Sequence, residues 1–505
     1  MGLRTIISST LLYLFGLSNK RLVGIIDQLR KSYVALESEN EQLKSEIAAL
    51  KAAVTEIKIK EVNQKSNQPS SKQAEWEKKG VGNDGKKKSR RRGKKGRKGA
   101  GNKAKSKSIT KEVKETVEYC AKCGNDLRLI APLKSSKTRI IEDIVDTPLE
   151  VEVIKVIQEQ KYCQACREVT TARTDMGLPK ADIGLNTTVH VVYLWLSMCL
   201  PFTRIASYLH TIFGQIISTA GLCAQVIRVS TIMKPVYEEI LEDVRQSDIL
   251  QADETGWRVQ GKNWWLWVFG SRQSAIYTID KSRGKDVVHR ILGNFFVGVL
   301  VVDGWRAYMS LLCEQQSCMA HLLRKIRKLY AAFPELESVC KFYIKFRRIL
   351  RDGERLQVKR EELGEIVFER RLKRLHERLE YLVNWENPNK ILAQIIKKVK
   401  YQQPRILTFV KHPNVPCHNN YGEYLIRIGV LKRKVSFGSK SAKGAQAYAI
   451  LLSIYTTCKL RNISFIDFMK YSLKSFSKNR KPLLIKEYVA MKNSMTNTEN
   501  VAEAA

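Results

Sequence analysis

Two apolar runs that each end in an aspartate constrain the fold of this chain most strongly. Residues 247–252 lead from a polar turn into Asp253, and residues 295–302 lead into Asp303. Two more runs of aromatic and β-branched residues lie between the aspartates, at positions 264–269 and 274–279. Runs of this length and composition are typical of buried strands. The sequence therefore predicts an α/β sheet with two carboxylates at the carboxyl ends of its strands.

A buried aspartate requires a partner, because an isolated carboxylate loses its hydration when it leaves water. A divalent cation shared by Asp253 and Asp303 would remove this cost and create a catalytic centre. The alternative is that each aspartate caps a turn, as Asp often does. A single Asp favours the cap, whereas two aspartates after two apolar runs favour a metal.

The charge of the chain indicates a polyanionic partner. Its 505 residues are enough for several domains, and 88 Lys and Arg against 50 Asp and Glu give a net charge of +38. Nucleic acid is the first candidate, and an anionic membrane surface is the second. Residues 86–107 hold 13 Lys or Arg and no acid. We predict that this tract contacts phosphate without sequence preference, through Arg90, Arg91, Arg92, Lys94 and Lys95.

A heptad repeat occupies the N-terminal part of the chain. Leucine or isoleucine recurs every seven residues from Leu22 to Ile57, and a second series runs from Ile26 to Val54 and includes Asn40. This pattern predicts a coiled coil, in which Asn40 at an a position fixes the register of a parallel dimer. The alternative is a single amphipathic helix on the protein's own core, but such a helix has a broader apolar face.

Two pairs of cysteines predict a metal site. Cys120 and Cys123 form the first C-x-x-C pair, and Cys163 and Cys166 form the second. Four thiolates at this spacing suit one structural zinc ion in a zinc ribbon, with strands expected at 138–149 and 151–158. Two redox dithiols or buried core cysteines are the alternatives. The other seven cysteines are scattered, which is typical of a reducing compartment.

Residues 187–245 are predicted to be helical throughout. A helix from Phe202, a turn with Gly214 and a helix capped by Ser218 give the outline of a helix-turn-helix. The same outline occurs in ordinary helical hairpins, so sequence-specific DNA reading and simple packing both remain open.

A basic helix is expected to follow Asp303. It begins at His321 and carries Arg324 and Lys325, which we predict contact the DNA backbone, although a solvated basic face is the alternative. His321 either orders a phosphate or carboxylate or has a structural role. A helix that starts at residues 281–284 is expected before Asp303, and a helix at 305–312 and a short strand at 315–320 are expected after it. In the charged helical insertion, 324–412, glutamates alternate with Lys and Arg on helical faces, which indicates solvated pairs and no evident chemistry.

Several of these motifs together resemble transposases of the insertion-sequence-sixty-six family, DDE enzymes with a ribonuclease-H-like core. The resemblance extends from the basic linker to about residue 470 and rests on Ala252–Asp253–Glu254–Thr255, Ser282–Arg283–Gly284, Asp303–Gly304, Cys318–Met319–Ala320–His321–Leu322–Leu323–Arg324–Lys325, Asn419–Asn420–Tyr421–Gly422–Glu423, Arg433–Lys434, Gly438–Ser439 and Gly444–Ala445. One departure is Ile428, which follows Arg427 where the family usually has proline.

The resemblance implies a catalytic set of Asp253, Asp303 and Glu423 that holds two Mg²⁺ or Mn²⁺ ions per active site. It also implies that metal-activated water cleaves DNA and that the freed 3′ hydroxyl then attacks target DNA. Spacing alone leaves other interpretations of the third carboxylate, because Glu423 lies four residues before Arg427 and Glu314 is another candidate. Glu423 follows Asn419 and Asn420, a plausible helix start. Three basic residues near Glu423 are also predicted to contact DNA, namely Arg427, Arg433 and Lys434.

The sequence thus predicts a multidomain α/β protein in a fixed order of segments. The order is an apolar N-terminus with coiled coil (1–60), a basic linker (61–115), a zinc-ribbon-like domain (116–180), a helical DNA-binding segment (187–245), a ribonuclease-H-like catalytic domain with its insertion (247–470) and a C-terminal tail (471–505). The apolar run at 6–17 is too short to span a bilayer as a helix and is predicted to pack as an apolar helix. A weak membrane anchor is the alternative, but the nucleic-acid features downstream favour no membrane partner.

The expected partners are the DNA of the element ends and of the target, and a second copy in a homodimer or larger oligomer. Accessory proteins of the same element are further candidates. A transposase of this kind is expected in the prokaryotic cytoplasm, bound to the nucleoid. Two other functions remain open: a nuclease or resolvase on the same fold that cuts without joining, and a non-catalytic DNA-binding relative.

Overall fold

The computed structural model describes residues 19–67, 123, 126, 128–129, 151–163, 168–386 and 390–503. Of residues 19–22, 58–67, 162–163, 168–170, 390–391 and 496–503 it describes only the backbone. Residues 1–72 and 151–505 belong to one compact unit and residues 73–150 to another. The architecture below is that of the first unit.

One long helix precedes the globular part. Helix α1 (Asn19–Asn67) contains the heptad repeat. Its seam side chains are exposed, for example Leu29 at 57%, Leu36 at 59% and Leu50 at 66%. A short antiparallel pair follows, β1 (Gln160–Cys163) with β2 (Glu168–Thr171). The strand expected at 151–158 is absent, since residues 151–159 have no regular structure.

Four helices lead to the sheet: α2 (Leu185–Leu196), α3 (Phe202–Phe213), α4 (Thr219–Ile232) and α5 (Lys234–Arg245). Helix α3 ends at Gly214, whose left-handed φ of 66° suits a helix C-terminus. Helix α4 begins at the predicted cap, because the Ser218 hydroxyl accepts a hydrogen bond from the Gly221 amide at 3.1 Å. One face of α4 is buried through Leu222, Val226 and Val229. The helix-turn-helix outline is therefore present, with its second helix packed into the core.

A mixed five-stranded sheet forms the centre, in the order β5-β4-β3-β6-β7. Its strands are β3 (Ile249–Val259), β4 (Lys262–Gly270), β5 (Ala275–Asp280), β6 (Phe295–Val302) and β7 (Leu312–Ser317). Strand β4 is antiparallel to both of its neighbours, β3 and β5, whereas β6 runs parallel to β3 and to β7. The α/β prediction is confirmed for this mixed sheet in a mostly helical chain.

Two short elements beside β6 differ in extent from the prediction. Helix α6 (Lys285–Leu292) begins four residues later than Lys281, because Gly284 is extended and its amide bonds to the Ser282 hydroxyl. The helix expected at 305–312 is only a 3₁₀ turn at Tyr308–Ser310, since β7 begins at Leu312.

The helical insertion contains α7 (Met319–Ala332), α8 (Glu337–Val358), α9 (Glu365–Val383), α10 (Lys390–Gln402), a 3₁₀ turn (Gln403–Arg405) and α11 (Thr408–Lys411). It has its own core, which Val299 and Val301 of β6 join. Leu300 and Val302, on the other face of β6, pack into the main core instead. The alternation of side chains along one strand therefore connects the two cores.

The chain closes with α12 (Asn420–Ser436), α13 (Ala442–Leu460), α14 (Phe465–Asn479) and α15 (Ile485–Glu503). Helix α13 is buried over most of its length and packs on the sheet, where the Ser453 hydroxyl accepts from the Tyr277 amide at 2.8 Å. Leu473 and Ile485 are buried, so α14 and the start of α15 belong to the main core and the structure continues into the segment predicted as a tail.

Candidate active site

The parallel pairing of β3 with β6 brings the two predicted aspartates together. Ile249 is paired with Val299, Leu250 with Leu300 and Gln251 with Val301. Continuing this register by two residues places Asp253 opposite Asp303, which directly follows β6. The carboxyl ends of neighbouring parallel strands share one edge of the sheet, so the fold itself juxtaposes these carboxylates.

Helix α12 covers the same face of β3 as Asp253. Gln251 accepts a hydrogen bond from the Gly422 amide at 3.3 Å, and Thr255 accepts one from Arg433 at 3.0 Å. Because alternate residues of a strand share a face, Asp253 between them also faces α12. Glu423 lies in the first turn of this helix. The third predicted carboxylate is therefore presented to Asp253.

Asn419 fixes the start of α12 against β3. Its side chain is fully buried, and its amide nitrogen donates to the carbonyl of Ala252 at 2.7 Å. Its backbone amide donates to the sulfur of Cys318 at 3.1 Å. This asparagine therefore joins the residue before Asp253 to the helix that carries Glu423. The sequence indicated a helix start at Asn419 but gave no indication of this contact with β3.

The carboxylates influence one another electrostatically. Burial raises the pKa of Asp253 well above its usual value, and the nearby carboxylates of Glu254, Asp303 and Glu423 raise it further. His321, at the start of α7, lies beside them, with 3.6 Å between its Nε2 and the Glu423 Oε1. Burial lowers the pKa of His321, while Asp303 and Glu423 act in the opposite direction. Asp253 thus lies at the centre of an acidic cluster.

The donor set of this cluster suits a hard divalent cation. Carboxylate oxygens are the ligands that Mg²⁺ and Mn²⁺ prefer, and a bound cation stabilises the ionised forms that burial and mutual repulsion disfavour. In the side-chain arrangement observed, no group of three such ligands within the described residues is close enough to hold an ion. Asp303 instead accepts from the Trp305 amide at 3.0 Å, and Asp253 accepts from the Glu254 amide at 2.9 Å.

Glu254, the neighbour of Asp253, is held by hydrogen bonds to two other side chains. Its side chain is only 1% exposed and accepts from Arg283 at 2.7 Å and from the Tyr308 hydroxyl at 2.6 Å. Burial raises the pKa of Glu254 to about 7, and the Asp303 carboxylate contributes. The Arg283 guanidinium stacks on Trp305 at 3.8 Å. This network therefore holds the turn after Asp303 to β3.

The predicted DNA-contacting residues differ in how accessible they are. Arg427 and Lys434 are exposed on α12, and Arg324 and Lys325 are half-buried on α7. Arg433 is half-buried, and its guanidinium donates to Thr255 and to the carbonyl of Gly256. Arg433 therefore holds α12 to β3, and its Nη1 atom is bonded within the protein. Arg90, Arg91, Arg92, Lys94 and Lys95 lie outside the described residues.

The predicted zinc ligands fall mostly outside the described residues as well. Cys120 and Cys166 are not described, and Cys163 is described only as the last backbone position of β1. Cys123 is described and exposed. The zinc site therefore stays a prediction.

The insertion contributes a basic cavity that the sequence did not indicate. A cavity of about 260 Å³ between α8 and α9 is lined by Asp352 and by five cationic side chains, namely Arg355, Lys359, Arg371, Arg374 and Arg378. Only Asp352 offsets their charge in the lining, through Arg378 at 2.9 Å. The sequence indicated a charged helical insertion, but not that two of its helices bring these cationic side chains together.

The chain belongs to the Transposase IS66 family, whose family model matches residues 181–447, more than half of the sequence. Similar proteins include the uncharacterized protein y4hP of Sinorhizobium fredii, which is 23% identical over 389 residues that cover 68% of each chain. The uncharacterized protein y4qI of the same organism is 24% identical over 269 residues, 46% of this chain and 49% of that protein. None of the described helices is long and apolar enough to cross a membrane.

Proposed function

We propose that this protein is a DNA transposase that cleaves the ends of a mobile element and joins the freed 3′ hydroxyl to target DNA. The observation that carries the proposal is the parallel register of β3 and β6, which places Asp253 opposite Asp303 under the helix that bears Glu423. Membership of the transposase family supports the same function. The net charge of +38 suits a protein that follows a DNA backbone.

The strand order supports a ribonuclease-H-like catalytic core. Three antiparallel strands followed by two strands parallel to the first, in the order β5-β4-β3-β6-β7, are consistent with such a core. Asp253 lies on the central strand and Asp303 follows the adjacent one. Such a core holds its carboxylates on regular elements, which position a site more accurately than loops do.

Asp253, Asp303 and Glu423 would hold the two Mg²⁺ or Mn²⁺ ions. Bound there, the ions supply Lewis acidity toward the phosphate and lower the pKa of water. The chain's own contribution is to position the carboxylates: Asn419 sets the start of α12, and Glu254 with Arg283 sets the turn after Asp303. No covalent enzyme intermediate is required by this scheme.

A strand-transfer assay tests the proposed reaction. The purified chain is incubated with DNA that carries the flanking ends of its own element and with a circular target, in Mg²⁺ or in EDTA. We expect Mg²⁺-dependent cleavage and joined products. Cleavage without joining would instead identify a nuclease or resolvase, and binding without cleavage would identify a non-catalytic relative. Either result would refute the transposase proposal.

We also propose that α1 pairs with α1 of a second copy. The heptad seam from Leu29 to Ile57 is exposed in the single chain, and Asn40 lies within it. A long exposed seam of this period matches the interface of a parallel two-stranded coiled coil. Such a dimer presents two active sites to the two DNA ends.

Deleting residues 20–60 is expected to lower the oligomeric state, because this removes the heptad seam. Light scattering of the full chain and the deletion variant at equal concentration measures the difference. A matched control replaces Asn40 by Leu, which retains the seam and should retain association. An unchanged mass after the deletion would place self-association elsewhere in the chain.

A structural zinc ion is the second proposed metal. Four thiolates from Cys120, Cys123, Cys163 and Cys166 would close a tetrahedral site and leave no open position for catalysis. We expect one zinc per chain by elemental analysis, and loss of this zinc when Cys163 and Cys166 are both replaced by Ser. Serine at Cys223, a cysteine outside the two pairs, is the control and should retain the metal. Zinc that survives the double change would refute the site.

A further inference from the structure

The helical insertion reaches the turn that carries Asp303. The side-chain amide of Gln402, the last residue of α10, packs on Gly304, where a Cβ atom would lie 2.5 Å from the Gln402 Nε2. Gly304 also has a φ of 86°, a conformation that side-chain-bearing residues rarely adopt. Glycine at this position therefore permits α10 to lie directly against the residue after Asp303.

An aromatic side chain adjoins this contact. Tyr401 precedes Gln402 and is 49% exposed. The guanidinium of Arg306 lies 5.9 Å from its ring centroid and that of Arg405 lies 5.5 Å away. Both distances are near the outer limit of a cation–π contact, so neither guanidinium packs tightly against the ring. Tyr401 is thus an accessible ring among cations. One of these cations, Arg306, lies three residues after Asp303 in the chain.

Two lysines extend this basic surface toward the carboxylates. Lys325 of α7 is half-buried and lies close enough to Lys398 of α10 and to Asp303 for their charges to interact. Two ammonium groups brought together in this way favour an anion between or beside them. Among the described residues, Gln402 Oε1 and Arg405 Nε are buried polar atoms without a hydrogen-bond partner. We call the surface of Arg306, Lys325, Lys398, Tyr401 and Arg405 the insertion face.

We propose that the insertion face binds unpaired nucleotides of the DNA strand engaged at Asp303, with Tyr401 stacking on a base and the cations contacting its phosphates. This inference rests on the proposed transposase function. An aromatic ring within a basic groove is the usual means of holding single-stranded DNA, because every base has a face that can stack. A base pair within intact duplex offers no such face, so the insertion face favours a frayed or melted end.

The experiment compares two DNA probes on the full-length protein. One is a blunt duplex, and the other is the same duplex with a short unpaired 3′ extension. Binding is measured by fluorescence anisotropy in EDTA, which prevents metal-dependent cleavage. Salt is held at a physiological level to limit contributions from the basic tract. We expect the wild-type chain to prefer the extended probe.

Tyr401→Ala is expected to reduce this preference roughly tenfold, since stacking on one aromatic side chain contributes about that factor. Tyr401→Phe should retain the preference, because it keeps the ring. Tyr381→Ala is the matched control: this tyrosine is also in the insertion and 65% exposed, and it lies beside Lys345. Arg306→Gln should weaken the binding of both probes and reduce the salt dependence of that binding.

An unchanged preference in Tyr401→Ala, or an equal loss in Tyr381→Ala, would overturn the inference, as would a wild-type chain that binds both probes equally. These results are separate from the failure of the transposase proposal. Binding in EDTA does not depend on cleavage or joining, so a chain that never joins strands can still show the preference. If the chain joins strands but binds both probes equally, only the proposed role of the insertion face is refuted.

Discussion

Asp253→Asn is expected to abolish strand cleavage and strand joining while DNA affinity stays nearly at the wild-type value. Asn cannot supply the negative charge that a cation requires, and Asp253 lies at the centre of the acidic cluster. Loss of metal catalysis removes several kcal/mol of transition-state stabilisation, which corresponds to a decrease in rate of at least about a hundredfold. Affinity arises mainly from Lys and Arg contacts to phosphate, which the substitution leaves in place.

The same variant has a stability control. Because burial and neighbouring carboxylates raise the pKa of Asp253, its ionised form destabilises the fold at neutral pH. The Asn variant should therefore melt at a temperature no lower than the wild-type chain. Lost activity with an unchanged melting temperature and unchanged DNA binding supports a catalytic role. Joining at the wild-type rate would show that Asp253 binds no catalytic metal.

Glu423→Gln is expected to eliminate Mg²⁺-dependent cleavage, and Glu314→Gln is expected to retain it. Glu423 lies in the first turn of α12, and this helix covers the face of β3 on which Asp253 lies. Glu314 lies on the edge strand β7, where its carboxylate is half-exposed and pairs with His412. Gln keeps the size of Glu and removes only its charge, so both variants should fold.

The two glutamate variants are compared in one cleavage assay with end-labelled DNA. Glu423→Gln should lower the rate by at least about a hundredfold, as for Asp253→Asn, since each removes a proposed metal ligand. Glu314→Gln should stay within about twofold of wild type, because an exposed ion pair contributes little. The reverse pattern would mean that the third ligand has been misplaced.

The sheet and its two aspartates could be predicted from sequence because their signals are local. Apolar runs before Asp253 and Asp303 indicate buried strands, and parallel strands bring their carboxyl ends to one edge. The start of α12 near Glu423 also carried a local signal, Asn419 and Asn420 before the helical pattern. Each of these predictions required only the residues within one element.

The supporting contacts could not be predicted, because they join residues that are distant in the chain. Glu254 binds Arg283, in the loop before α6, and Tyr308, in the 3₁₀ turn after β6. Asn419 binds the carbonyl of Ala252, 167 residues away. A buried polar side chain shows in the sequence only as an interruption of the apolar pattern. Its partner depends on how the elements pack.

The accessibility of charged residues could not be predicted from the sequence either. Arg433 and Lys434 are adjacent, yet Arg433 bonds to β3 while Lys434 is exposed. Lys432, the residue before them, is buried and donates to the carbonyls of Trp195 and Leu200. In the sequence these three residues form one basic cluster with no difference in character. The helical turn of 100° per residue gives its members three different surroundings.

The insertion shows the same limit on a larger scale. Its glutamates alternate with Lys and Arg, which indicated solvated helix faces and no chemistry. Packing of Gln402 on Gly304 brings α10 to the active-site turn, although the two residues are far apart in sequence. Periodicity reveals which side of a helix is apolar, but it does not reveal which other element that helix approaches.

The most direct test of this account is binding of Mn²⁺ to the zinc-loaded protein, followed by electron paramagnetic resonance as free Mn²⁺ is consumed. We predict Mn²⁺ binding that Mg²⁺ displaces. We also predict that this binding is lost in the Asp253→Asn/Asp303→Asn double variant and retained in Glu314→Gln. Equal Mn²⁺ binding by the wild-type chain and the double variant would contradict the proposal that these two aspartates hold the catalytic metal.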